Sequence, residues 1–132
     1  MKINIDAGLL ILRVTIGLLM LLHGIAKLSG VSGIEGMLTF NGLPAFLAYG
    51  VFITEIIAPI VLIIGYRTRL AAIVFALGTL AAMFLAHSAE IFTLSKYGGW
   101  AVDLLGLYFF GALVLLFTGG GKFALSKSDK WD

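Results

Sequence analysis

The sequence predicts an all-α integral membrane protein, a bundle of four transmembrane helices with both termini in the cytoplasm. Of its 132 residues, 61% are hydrophobic and only 12% are charged, and the mean hydropathy of +1.10 exceeds that of a soluble globular domain. Four apolar stretches are each long enough to cross a bilayer, which takes about 20 residues. We predict a single transmembrane domain over residues 1–132, with spans at residues 7–28, 44–66, 70–88 and 100–118.

The first apolar stretch is predicted to be a retained helix and not a cleaved signal peptide. Arg13 interrupts it, His23 and Lys27 lie near its end, and no small-x-small cleavage site follows. Arg13, Gly17, Gly24 and Lys27 recur at helical spacing, so they share one face, which a neighbouring helix or a flat ligand can approach closely. We interpret Arg13 as a packing residue that either snorkels to the cytoplasmic interface or pairs with another helix.

The connection to the second span, residues 29–43, is glycine-rich and contains Ile34, Met37 and Leu38. This apolar spacing favours one or two helical turns lying in the outer interface of the membrane. An ordinary exposed loop is the alternative.

Glu55 is the unusual residue of the second span. It lies about 11 residues into the span, so at a rise of 1.5 Å per residue it is about 16 Å deep, near the midplane. A carboxyl group there is either neutral or matched by a cation, for which the candidates are Lys27, His23 and Arg13. Pro59 lacks an N–H, so it leaves the carbonyl of residue 55 without its helical donor and is expected to kink the helix. A purely structural clamp between Glu55 and Lys or Arg is the alternative.

The third and fourth spans each carry one polar residue near an end. His87 lies at the end of the third span, whose small residues favour close helix packing, and Asp103 lies near the start of the fourth. Three glycines at positions 119–121 are expected to end the fourth helix. The lysine-rich tail, residues 122–132, is predicted to be mobile.

The distribution of Lys and Arg predicts the orientation in the membrane. If both termini are cytoplasmic, that side carries most of the cations, and only Lys27 and Lys96 lie on the other side. This bias accounts for the formal net charge of +2 and gives no indication of nucleic-acid binding. Cysteine is absent, which excludes disulfides, cysteine metal sites and dithiol redox chemistry.

Polar side chains from all four spans are predicted to converge on a pocket in the outer half of the bundle. We assign ligand binding or proton handling to five candidates: His23, Lys27, Glu55, His87 and Asp103. Buried charges that serve only as structural glue are the alternative for each of them. We expect neither a haem held by two histidines nor a His/carboxylate metal site, because no ligand motif supports them. A quinone-like ring suits the residues better, since His23 and Glu55 can exchange protons and Lys27 can donate to a carbonyl.

The order and spacing of several short motifs resemble the DoxX family of small bacterial four-helix membrane proteins. The resemblance covers nearly the whole chain and is carried by Arg13-x-x-x-Gly17, His23-Gly24-x-x-Lys27-Leu28, Gly42-Leu43-Pro44, Glu55 with Pro59, Gly65-x-x-x-Arg69-x-Ala71-Ala72, and His87. It implies a protein of the bacterial cytoplasmic (inner) membrane that supports quinone-linked redox chemistry with a redox protein partner. A non-catalytic membrane scaffold or a small-solute transporter is the alternative.

Overall fold

The computed structural model describes residues 2–132 and is helical throughout its regular structure. Over this range the α-helices are α1 (Ile5–Ala26), α2 (Ser32–Phe40), α3 (Ala58–Ile64), α4 (Thr68–Ala86) and α5 (Asp103–Thr118). Three helical stretches in the described chain are long and apolar enough to cross a membrane: Ile5–Ser29, Ala45–Ile64 and Thr68–Ala86. The predictions of an all-α fold and of several membrane crossings are confirmed. Helix α5 is also apolar, but at 16 residues it is shorter than the other three.

The second span is not one regular helix. It begins as a 3₁₀ helix, Ala45–Gly50, passes through a π-helical turn, Ile53–Ile57, and continues as α3. Pro59 lies in the first turn of α3 and cannot donate to the carbonyl of residue 55. Just before this proline the backbone forms a wider, π-helical turn, in which the amide of Ala58 donates to the carbonyl of Ile53, five residues earlier. The expected disturbance is therefore present as a π-helical turn upstream of Pro59, a form that is common at functional sites.

Helix α1 packs closely against the second span along its glycine face. A Cβ at Gly17 would lie 2.9 Å from the carbonyl oxygen of Pro59. A Cβ at Gly24 would overlap the carbonyl oxygen of Glu55. Backbone-to-backbone packing at these two points requires glycine, as small residues at helix contacts commonly do in membranes.

Arg13 connects three parts of the fold at one end of this helix pair. Its side chain is fully buried, with 0% exposure. Nη1 donates to the carbonyls of Leu62 (2.9 Å) and Ile63 (2.8 Å), and Nε donates to that of Gly120 (3.2 Å). These carbonyls lie at or just beyond helix ends, where the helix dipole is negative and a cation is favoured. Arg13 therefore does not snorkel to the interface. It joins α1 to other helices by donating hydrogen bonds to their backbone carbonyl groups.

The core is built from α1, α3, α4 and α5. Phe75 of α4 and Leu62 of α3 are completely buried, and Ala112 and Leu115 of α5 pack with them. Helix α4 makes its most extensive contact with α5.

Helix α2 confirms the helical turns that were expected between the first two spans. Leu38 is 3% exposed and packs with Val31 and Ala48, while Leu85 of α4 contacts the same cluster. The helix therefore covers the start of the second span and the end of α4.

The predicted glycine stop is confirmed, because α5 ends at Thr118 and Gly119 follows with a φ of +76°. The tail after it folds onto the turn between α3 and α4. The Ser126 hydroxyl accepts from the Arg67 amide (2.9 Å) and donates to Asp132 (2.7 Å). The hydrogen bond from Ser126, with one from the amide of Asp129, holds the pKa of the Asp132 carboxyl below its usual value. Mobility of the tail stays a prediction that these contacts do not test.

We expect Arg13→Met to lower the free energy of unfolding by about 2–4 kcal/mol, because three carbonyls lose a charged donor in a water-free site. Arg13→Lys keeps the charge but replaces the planar fork with a point charge, so it should be intermediate. The measurement is thermal unfolding in a fixed detergent or lipid. Lys2→Met, which removes an exposed cation, is the control. A melting temperature of Arg13→Met equal to that of wild type would contradict the structural role.

Candidate functional site

A cavity of about 610 Å³ lies at the end of the molecule opposite Arg13. We call it the main cavity. Its walls come from the last turns of α1, from α2, from the irregular part of the second span, from the end of α4 and from the start of α5. All five candidate residues predicted from the sequence contribute to it: His23, Lys27, Glu55, His87 and Asp103. Most of the remaining wall is aliphatic.

An ion pair between α1 and the second span is the principal polar feature of this wall. Nζ of Lys27 lies 2.5 Å from Oε2 of Glu55. The side chain of Glu55 is 12% exposed and that of Lys27 is 32% exposed. Lys27 follows directly on α1, and Glu55 is in the middle of the π-helical turn. Of the cations considered from the sequence, Lys27 is therefore the partner of Glu55.

His23 lies one helical turn before Lys27 and contacts α5. Its ring meets that of Tyr108 edge to face, with the centroids 6.2 Å apart and the planes at 88°. His23 is otherwise exposed, so its ring nitrogens are accessible from the main cavity. It is placed beside the Lys27–Glu55 pair without being its counterion.

His87 and Asp103 lie at the boundary of the main cavity. His87 ends α4, and its Nδ1 is 3.4 Å from a carboxylate oxygen of the exposed Glu90. Asp103 is the first residue of α5 and is exposed. The charges of Lys27 and Glu55 cancel. When the histidines are neutral, Asp103 therefore gives the wall a net negative charge. This electrostatic balance favours a neutral or cationic ligand over an anionic one.

The polar residues do not cluster in the manner of a metal centre. Within residues 2–132, no three or more His, Cys, Asp or Glu side chains are close enough together to hold a metal ion. The wall can form hydrogen bonds and exchange protons through the imidazole of His23, the ammonium of Lys27 and the carboxyl of Glu55.

Two features of the wall were missed in the sequence. Tyr108 of α5 lines the main cavity although it is only 3% exposed. The sequence feature that could have identified this residue is the position of a tyrosine in the middle of an apolar helix, away from either interface. Gly78, Ala82 and Ala86 also line the cavity. The close packing that the sequence suggested is present at Gly78, where a Cβ would overlap the side chain of Thr54, but the cavity beside these residues was not foreseen.

Comparison with known proteins gives related membrane proteins. Residues 8–88 match the family described as DoxX. A Bacillus subtilis protein named "Putative oxidoreductase CatD" is 32% identical over 83 residues, which cover 63% of this chain and 62% of that protein. The Escherichia coli protein named "Inner membrane protein YqjF" is 27% identical over 135 residues, which cover 96% of each chain. No solved structure matches the chain.

The Lys27–Glu55 contact makes a double-mutant cycle decisive. Glu55→Gln and Lys27→Met should each lower the melting temperature, since each leaves one charge without its partner in a partly buried site. The double variant should recover part of the loss, with a coupling energy of about 0.5–3 kcal/mol. Unfolding in detergent or lipid measures all four proteins.

The matched control is the same cycle for Glu55→Gln with His23→Gln. His23 lies nearby but is not the counterion, so these two losses should add. Additive losses for the Lys27 pair would show that the ion pair does not contribute to stability.

Proposed function

The chain belongs to the DoxX family and is a multi-pass protein of the bacterial cytoplasmic membrane, and we propose that its main cavity binds a quinone or a similar small hydrophobic molecule. In this proposal the protein is a subunit that supports quinone-linked redox or proton transfer together with a redox protein partner. The observation that carries the proposal is the Lys27–Glu55 ion pair, which lies in the wall of an otherwise largely apolar cavity.

The composition of the wall suits a neutral ring with an apolar tail. Aliphatic side chains from α2, α4 and α5 provide the surface for the hydrocarbon. Lys27, whose ammonium group has three donors, can keep Glu55 as its partner and still donate to a carbonyl oxygen. The negative charge of Asp103 disfavours anionic ligands. A quinone combines a neutral ring, two carbonyl acceptors and an apolar tail.

The residues beside the ion pair can also handle protons. Reduction of a quinone to a quinol takes two electrons and two protons. In our proposal the redox partner supplies the electrons, and Glu55 and His23 pass protons between the cavity and its opening. The name of the Bacillus subtilis relative, "Putative oxidoreductase CatD", supports a redox role.

We further propose that α5 is a fourth span of a single transmembrane domain and that both termini are cytoplasmic. Large apolar side chains on one face of α5 are exposed, as expected for contact with lipid: Leu104 (48%), Leu107 (71%), Phe110 (58%), Val114 (45%) and Phe117 (80%). Most Lys and Arg residues lie toward the end of the molecule that carries both termini. With this orientation the main cavity lies in the outer half of the membrane.

One observation favours the alternative of a non-catalytic scaffold or transporter. Arg13 and the Lys27–Glu55 pair both join α1 to the second span, at opposite ends of the same contact. Buried charges used in this way stabilise a helix pair without performing chemistry. Ligand retention separates the two functions.

The orientation is tested by labelling with a membrane-impermeant thiol reagent, since the chain has no cysteine of its own. Gly33→Cys introduces a thiol in α2 where a Cβ meets no atom within 4 Å. We expect this site to be labelled from outside the cell, and a cysteine placed after Asp132 to be labelled only after the membrane is opened. The reverse pattern would place the main cavity in the inner half.

The function is tested by measuring melting temperature and ligand retention on the same samples. The gently purified protein is extracted with solvent, and bound quinone is identified and quantified by mass spectrometry. The variants are His23→Gln, Lys27→Met, Glu55→Gln, His87→Gln and Asp103→Asn. We expect His23→Gln and Glu55→Gln to lose most of the quinone while still inserting and folding, His23→Gln with little change in melting temperature and Glu55→Gln with the moderate decrease that loss of the ion pair causes.

Lys96→Met is the matched control, since it changes an exposed residue that does not line the main cavity. It should retain the ligand. Parallel loss of stability and ligand in every cavity variant, or full retention in all five, would favour the scaffold.

A further inference from the structure

Tyr108 is enclosed by the protein, yet its side chain lines the main cavity. It lies in the second turn of α5 and is 3% exposed. Its ring contacts Phe75 of the core edge to face, with the centroids 5.9 Å apart, and His23 from the side of α1. Phe75 is completely buried. The position of the phenol ring is therefore fixed by packing on two sides.

The side-chain hydrogen bonds within residues 2–132 include none from the hydroxyl of Tyr108, whereas those of the wall residues Lys27 and Thr54 are present. The side-chain atoms in this range that are inaccessible and make no hydrogen bond are Arg13 Nη2, Thr68 Oγ1 and His87 Nδ1, the last of which lies 3.4 Å from the Glu90 carboxylate. The Tyr108 oxygen is not among them, so it is not sealed in the same way. It opens onto the main cavity. Enclosed tyrosine hydroxyls ordinarily have a partner, since losing water without gaining a hydrogen bond is costly.

Two other donors of the wall already have an acceptor in the protein. Lys27 donates to Glu55. The Thr54 hydroxyl lies 3.5 Å from the carbonyls of Gly50 and Val51. Glu55 and Asp103, when ionised, are acceptors only. The phenol O–H of Tyr108 therefore has a fixed position and makes no hydrogen bond within the described residues, and the Glu55 carboxylate is already paired with Lys27.

We infer that Tyr108 determines the specificity of the main cavity by donating a hydrogen bond to an acceptor oxygen of the bound molecule. This inference rests on the proposed function, in which the acceptor is a quinone carbonyl. The apolar wall binds the hydrocarbon tail of any such molecule, and Tyr108 distinguishes a head that carries a carbonyl from a pure hydrocarbon. A rigid donor in a largely apolar cavity makes this discrimination effective, because its position is set before binding.

The test compares two probes that share a ten-carbon tail, decylubiquinone and decylbenzene. Their dissociation constants are measured by equilibrium dialysis with the detergent-solubilised full chain. Tyr108→Phe keeps the ring between Phe75 and His23 and removes only the hydroxyl. We expect it to weaken decylubiquinone binding by about 3- to 10-fold, the effect of one hydrogen bond, and to leave decylbenzene binding unchanged.

The readout is the ratio of the two affinities within each protein. Partial unfolding of a variant lowers both affinities together and leaves this ratio unchanged. Tyr49→Phe is the matched control, because Tyr49 is exposed and does not line the main cavity. Its ratio should equal that of wild type.

The outcomes separate the two proposals. Decylubiquinone binding by wild type with an unchanged ratio in Tyr108→Phe overturns the role of Tyr108 and leaves the proposed function in place. Absence of decylubiquinone binding by wild type contradicts the proposed function, and the inference about Tyr108 with it. A fall in the ratio confined to Tyr108→Phe supports the inference.

Discussion

The close contact between α1 and the second span is the constraint on which the rest of the structure depends. Two charged groups hold it, Arg13 at one end and Lys27 at the other, and the glycines between them bring the two backbones together. In lipid no water is available to satisfy a backbone or a charge, so polar groups along such a contact must satisfy one another. The irregular backbone of the second span is tolerated because it lies against α1 and the cavity.

The two ends of this contact differ in what they can do. Arg13 is completely enclosed and bonded to carbonyls, so neither a ligand nor a proton reaches it easily. The Lys27–Glu55 pair has the same structural effect, but it is partly exposed in the wall of the main cavity. The π-helical turn contributes to this difference, because Glu55 lies at its centre. One charged contact therefore stabilises the bundle, while the other combines stability with accessible chemistry.

The sequence predicted those features that depend on local spacing. The glycine and charge face of α1 follows from helical periodicity, and the depth of Glu55 follows from counting residues, which together were enough to name Lys27 as a candidate partner. The convergence of five polar residues on one level was predicted in the same way.

Features that depend on distant contacts were not predictable in this manner. The carbonyl of Gly120 that receives a hydrogen bond from Arg13 is 107 residues away in the chain. The π-helical turn depends on how Pro59 and Gly24 pack. A single tyrosine in an apolar helix does not by itself predict that a cavity lies beside it. The small side chains of α4 were interpreted as a packing face, which Gly78 confirms by its contact with Thr54, but the cavity that the same face lines depends on distant segments.

The length of α5 has a consequence for the membrane itself. Sixteen residues rise about 24 Å, whereas the hydrocarbon layer of a bilayer is about 30 Å thick. If α5 is a fourth span, either the bilayer beside it becomes thinner or the polar side chains at the ends of α5 extend outward to the headgroups. The longer α1 requires no such thinning of the bilayer on its side. The protein would then deform its bilayer unevenly, and a thinner membrane, or a neighbouring protein placed along α5, would relieve that deformation.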